Sequence, residues 1–349
     1  MKILVTGHLG YIGTLLVPML LKKGHDVTGM DADWYRNCTF GDDKQIVDVK
    51  NIRKDIRQAT VNDLRGFDTV MHLAALSNDP LGSYNADLTD EINNQATVRL
   101  GEMSKQAGVK HFIFSSTCSN YGVADDHLID ETGALNPYTP YAKAKVAAEI
   151  GLKPMSDENF SVTLMRSATA FGYSPRIRWD LVLNNLTAHA VTTGKIYMKS
   201  DGSPWRAIVH IEDISRAFTA VAEAKRDAVH DQAFNVGQTR ENYRVREIAQ
   251  IVAETVPNCT IEYAPGAGPD PRCYRVNCDK LARLVPAYQP QWSARAAAKQ
   301  VYEAIKKFGL KVDEFEGPRF ARLPHMKKLI AEGVMDEKFN YTTKANKAA

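Results

Sequence analysis

The sequence predicts an α/β architecture: a parallel sheet wound doubly, with helices on both faces, followed by a smaller mixed α/β lobe. Three observations predict it. Short β-branched runs alternate with amphipathic helical stretches through the first half of the 349 residues. Those runs are continuously apolar instead of alternating, which marks strands buried on both faces. Beyond about Gly172 prolines such as Pro175, Pro204, Pro257 and Pro286 cut the chain into short elements.

Each element follows from its own pattern. KILVT (2–6) is the first strand. From Tyr11 to Lys23 the residues Ile12, Leu15, Leu16, Met19 and Leu20 share one helical face. DVTGMD (26–31), DTVMHLA (68–74) and HFIFSS (111–116) are further strands, with a helix over 92–106 between the last two. The expected division is a first domain over 1–172 and a second over 173–349. The strand and helix of AIVHIEDISRAFTAVA (207–222) are expected to return to the first sheet.

Bulk properties exclude several classes. The chain carries 44 basic and 41 acidic side chains, a net charge of +3 without a clustered basic run. That gives no footprint for nucleic acid or a membrane surface. No stretch approaches the roughly 18 apolar residues of a membrane-spanning helix. The five cysteines show no paired spacing and no histidines at zinc spacing, so no metal site is expected. Reduced thiols in a cytoplasmic protein are the expectation.

The first strand runs into TGHLGYIG, with Gly7, Gly10 and Gly13 spaced by three. Such glycines allow a tight turn and close approach of backbone to a pyrophosphate, and the N–H groups of the following helix face it. Tyr11 and Ile12 lie inside that turn. Asp31 ends the second strand, 18 positions beyond Gly13, where a carboxylate binds both ribose hydroxyls. It would repel a 2′-phosphate, so the Rossmann-type reading carries NAD over NADP.

In NPYTPYAKAKVAAE (136–149) Thr139 is placed to cap a helix and Pro140 to open it. Tyr141 and Lys145 then stand four apart on one face. A phenol beside an ammonium is a plausible proton acceptor toward an alcohol. Upstream, SSTCSNYG (115–122) crowds hydroxyls at a strand end.

Together these segments resemble the extended short-chain dehydrogenase/reductases, and within them the NAD-dependent nucleotide-sugar epimerase/dehydratase family, over roughly residues 1–315. The resemblance implies cofactor contacts at Gly7, Gly10, Tyr11, Ile12, Gly13, Asp31, Asp55, Ile56, Leu73, Ala74, Ala75, Asn93, Ser115, Tyr141 and Lys145. It implies a nucleotide-diphosphate sugar held by Ser116, Thr117, Asn185, Arg206 and Arg272. His72, in the same strand as Leu73, reads as a packed residue and not a ligand. The resemblance also implies a homodimer paired through the Tyr141 helix.

Counted back from Tyr121, the family's catalytic hydroxyl is Thr117. Dehydratases of the family carry Asp-Glu next; here Cys118 and Ser119 stand there, which removes the acid and base of elimination. Inversion at C4 through a 4-keto sugar needs Thr117, Tyr141, Lys145 and NAD, and is the expected reaction. Alternatives are a 4-keto-sugar reductase, a 3,5-epimerase using Cys118 as base, and a dinucleotide sensor without catalysis. Beyond about Leu310 nothing in the sequence reads as chemistry.

Overall fold

The structure, a computed structural model, describes residues 1–268 and 273–343, with backbone alone over 123–126. Its centre is a seven-stranded sheet. The first five strands in chain order are β1 (Lys2–Thr6), β2 (Asp26–Met30), β3 (Lys50–Ile52), β4 (Thr69–His72) and β5 (His111–Thr117). Strands Ser161–Ser167 and Gln232–Val236 complete it. From one edge the order is Gln232–Val236, Ser161–Ser167, β5, β4, β1, β2, β3, and every pairing is parallel.

Alternation along β1 explains the two cores. Ile3 and Val5 face one layer, with Leu16 and Leu20 of helix Gly13–Lys22 and Ile214 and Phe218 of helix Ile211–Glu223. Leu4 faces the other, with Leu100 of helix Ala96–Gln106 and Leu152 of helix Pro140–Leu152. A strand flanked this way has no polar face, which is why the runs read as continuously apolar.

The connection from β1 goes to β2 on one side, whereas β4 pairs with β1 on the other. The strand order therefore reverses between β1 and β4, and a crevice opens at the carboxyl ends of those strands. The register sharpens it. Thr6 is level with Met30 and with His72, while β5 runs on through Ser115, Ser116 and Thr117 beyond its β4 partner.

In the second half, the strand expected to return to the first sheet does not join it. Strand Trp205–His210 pairs with Thr169–Phe171 and Asn242–Arg244 in a separate three-stranded sheet. Only its helix, Ile211–Glu223, packs back on the first lobe; the sheet position is taken by Gln232–Val236. Residues 322–341 also return to the first lobe. There Met326, Met335 and Phe339 enter the core around Leu4, and Phe339 meets Trp34 edge to face at 5.8 Å. The helix expected over 92–106 begins with a π-helical turn, Glu91–Gln95. Among the described residues no helix is long and apolar enough to cross a membrane.

Candidate active site

The crevice holds a cavity of about 1330 Å³, more than one small ligand needs. Its floor is the turn after β1. The Gly7 N–H donates to the Met30 carbonyl at 2.8 Å and Gly10 N–H to the Gly7 carbonyl at 3.0 Å. Gly7 has φ +75°, and a Cβ there would lie 2.7 Å from the Ala74 nitrogen. A Cβ on Gly13 would collide with the Gly7 and His8 carbonyls. The helix that follows has no side-chain cap and no acid in its first turn. The Thr14 and Leu15 N–H groups are taken by the Gly10 and Ile12 carbonyls, so the end that lines the cavity is Tyr11, Ile12 and Gly13, where the positive end of the helix suits a diphosphate.

Asp31 stands directly after β2. Its carboxylate accepts from Leu9 N–H at 3.0 Å and from Asp33 N–H at 2.8 Å. Burial pushes its carboxyl up, and those two N–H groups pull it back. Two oxygens with one bond each keep acceptor capacity for a ribose diol. Asp55 caps the turn Ile56–Gln58 and is paired with Arg57 at 2.8 Å; both Asp55 and Ile56 line the cavity. Leu73, Ala74 and Ala75 form the wall after β4.

Asn93 is placed behind that wall. Its side chain accepts from Leu76 N–H at 2.8 Å and donates to the Leu76 carbonyl at 2.9 Å, so it shapes the wall without lining it. His72 bridges Thr6 at 2.7 Å and Thr97 at 2.8 Å and is wholly buried, a packed strand residue.

The Tyr141 helix is built as its sequence suggests. Thr139 accepts from Ala142 N–H at 3.2 Å and Pro140 opens the first turn. Tyr141 and Thr117 line the same cavity, and the Thr117 hydroxyl lies close enough to pull the phenol slightly down. Burial pushes its phenol up to about 12, against a downward pull whose largest part comes from Arg178. Lys145 is buried, donates to the Ser115 carbonyl at 2.8 Å, and lies 4.5 Å from the Phe114 ring centre. Burial lowers its ammonium to about 7, with Glu149 opposing.

The hydroxyl run separates by function. Thr117 and Ser119 face the cavity. Ser116 lines it too, but its hydroxyl donates backward to Glu149 at 2.5 Å, within a buried Glu149–Arg166 pair at 2.6 Å. Cys118 does not line it. Its Sγ lies 3.1 Å from the Arg166 carbonyl, and burial pushes the thiol well up. The strand ends at Thr117, and Cys118 opens a 3-10 turn, Cys118–Tyr121, whose Cys118 and Tyr121 side chains join the hydrophobic core.

On the opposite wall Asn185 and Arg206 line the cavity. Asn185 donates to the Trp179 carbonyl at 2.9 Å. Arg272 lies outside the described residues. Two features escaped the sequence reading. Arg178 forms a fork on Asp180 at 3.1 and 2.5 Å and reaches Ser77 at 3.0 Å, while Asn78 donates to Asp180 at 2.8 Å. The acidic residue two positions after Arg178 was the available signal. Phe315, Glu316, Phe320, Ala321 and Arg322 also line the cavity, from a segment with no motif. Among the described residues no group of three His, Cys, Asp or Glu is placed to hold a metal.

The chain is similar to known proteins over most of its length. The sequence profile described as "NAD dependent epimerase/dehydratase family" matches residues 3–237. The UDP-glucose 4-epimerase of Mycolicibacterium smegmatis is 30% identical over 308 residues, covering 83% of this chain and 94% of its own length. UDP-glucuronic acid decarboxylase 1 of Arabidopsis thaliana is 26% identical over 332 residues, covering 91% and 72%. A solved structure described as MoeE5 in complex with UDP-glucuronic acid and NAD is 26% identical, with a TM-score of 0.76, and covers 88% of this chain and 99% of its own.

Proposed function

The chain belongs to the NAD dependent epimerase/dehydratase family, enzymes that use NAD on nucleotide sugars, and from that premise we propose that it inverts C4 of a nucleoside-diphosphate hexose. The observation that carries this reading is the end of β5. Thr117 and Tyr141 both line the cavity there, and the two residues after Thr117 offer a buried thiol and a hydroxyl but no carboxylate. Proton transfer at a hydroxyl is supported; elimination from the neighbouring carbon is not.

NAD, when bound, supplies hydride acceptance and return. It would be held by the glycine turn, the N-terminal end of helix Gly13–Lys22 and Asp31. This chain's residues manage position and protons. Thr117 hydrogen-bonds O4. Tyr141 takes the O4 proton and gives it back to the same oxygen after the ring has turned over. In the ligand-free site its phenol titrates at about 12, so phenolate forms at neutral pH only as positive charge gathers beside it. Lys145 and Arg178 are the cations on hand. Arg206, 7% exposed and facing the cavity, suits the sugar's diphosphate.

Purified protein with its NAD, mixed with UDP-, GDP-, CDP- and dTDP-hexoses, should give C4 epimers in NMR spectra; an unchanged panel refutes the reading. UDP-glucose and UDP-galactose come first, because UDP is the nucleotide named in the relatives above. Tyr141→Phe should lose about a thousandfold or more in kcat and keep its NAD; an active variant removes Tyr141 from its role. A 4-keto-sugar reductase would instead consume NADH on addition of a 4-keto-6-deoxy sugar nucleotide. The reading includes a homodimer paired through helix Pro140–Leu152, on which Ile150 is 67% exposed. A monomer in sedimentation would remove that part.

A further inference from the structure

The segment after Leu310 crosses the cavity mouth. Phe315 packs against Trp179 (ring centres 6.4 Å apart) and Phe320 against Phe40 (6.0 Å) on one side. Helix Arg322–Ala331 and the stretch to Tyr341 then fasten to the loop after β2. His325 bonds the Trp34 carbonyl at 2.9 Å, and the Tyr341 hydroxyl donates to the Asp33 carbonyl at 2.9 Å. This places Arg322 in the wall of the cavity that the glycine turn also lines.

Arg322 is 7% exposed, and its Nη1 has no hydrogen-bond partner among the described residues. Its guanidinium lies 3.8 Å from the Tyr35 ring centre, and its Nη2 makes one long bond, 3.4 Å, to the Arg176 carbonyl. Arg176 behind it is 5% exposed, and its Nε is likewise unpartnered. Neither arginine has a carboxylate within 4.0 Å among the described residues, although buried cations are ordinarily paired. Arg322 still acts at a distance on Asp31 at one end and on Asp180 at the other. It lines the same cavity as the glycine turn and Asp31, against Tyr35 of the loop after β2.

We propose that Arg322 is a cofactor-binding residue: its unpaired guanidinium charge, in the wall of the NAD site, pairs with the diphosphate held by the glycine turn. A planar fork suits that anion. The burial of an unpaired cation is then explained by the ligand that neutralises it. Arg176 holds the loop beneath, through the Arg36 carbonyl at 2.7 Å and that of Tyr35. The segment after Leu310 thus acts as a fixed strap over the cofactor.

The test needs no turnover, so it stands or falls apart from the C4 reading. Full-length protein carrying NAD is diluted into isotopically labelled NAD, and exchange is followed by mass spectrometry of the acid-released nucleotide. Arg322→Met keeps the bulk against Tyr35 and removes the charge; it should exchange roughly ten- to a hundredfold faster. Its affinity for ADP-ribose should fall by a similar factor, while its weak affinity for adenosine stays unchanged. Exchange at the unaltered rate overturns the proposal. So does a loss toward adenosine equal to that toward ADP-ribose, since adenosine carries no phosphate. Near-ultraviolet circular dichroism of Arg322→Met should match the parent; an altered spectrum with equal losses for all three ligands assigns Arg322 to packing.

Discussion

The two walls of the cofactor cavity are made by different means. The lower wall is backbone: the glycine turn, the helix N-terminus and the residues following β4. The upper wall is side chains drawn from distant places: Arg178 reaches Ser77 after β4, and Phe320 and Arg322 meet Phe40 and Tyr35 of the loop after β2. A backbone wall tolerates almost no added atom. A side-chain wall tolerates substitution but depends on the pairing of each charge.

The largest expected effect is on the lower wall. Gly13→Val drives carbon into the Gly7 and His8 carbonyls, so purified protein should carry no NAD, a loss of at least about a hundredfold in affinity. Retention of NAD would show that this wall yields as the upper one does.

The second is beneath the catalytic hydroxyls. Glu149→Leu leaves Arg166 buried without its partner at 2.6 Å, which should cost about 3–5 kcal/mol in urea unfolding. A shift below about 1 kcal/mol would mean that water reaches the site.

The third concerns Lys145. Burial lowers its ammonium from 10.5 to about 7. The folded NAD-free protein therefore releases a proton that the unfolded chain keeps, and stability from this group is lost as pH falls toward 7. Relative to Lys145→Met, the unaltered protein should gain on the order of 2 kcal/mol between pH 7 and pH 9 in denaturant titrations. A constant difference would place the ammonium in contact with water.

The smallest is Cys118→Ala, which should leave kcat within about twofold, because a buried protonated thiol takes no part. A tenfold fall would reinstate Cys118 as a base and with it the 3,5-epimerase.

The same contrast decides what could be read in the sequence. The glycine turn, Asp31 and the Tyr141–Lys145 pair were legible because their geometry is set within a turn, a strand end or one helical step. Asn93 was read as a contact and proves to be a support, since a motif gives position in the chain but not which way a side chain faces. Ser116 and Cys118 differ from Thr117 for that reason. Arg322 was missed because its contact with Tyr35 spans nearly three hundred residues, which no local pattern encodes, whereas Arg178 left a local signal in Asp180 but reaches Ser77 across about a hundred residues. Strand Gln232–Val236 joins the sheet at an edge where one helix also returns, and alternation alone does not choose between 205–210 and 232–236.

Finally, the fastening of Tyr341 to Asp33 has a mechanical consequence. Residue 2 lies in the middle of the central sheet and residue 341 is tied to the loop after its neighbouring strand, so both ends of the described chain are anchored on one lobe. Tension applied between them loads that lobe directly and leaves the sugar-facing lobe slack, as an excursion that leaves and returns. In an optical trap the first rupture would therefore strip the strap and open the nucleotide pocket, while the smaller lobe came apart only afterwards.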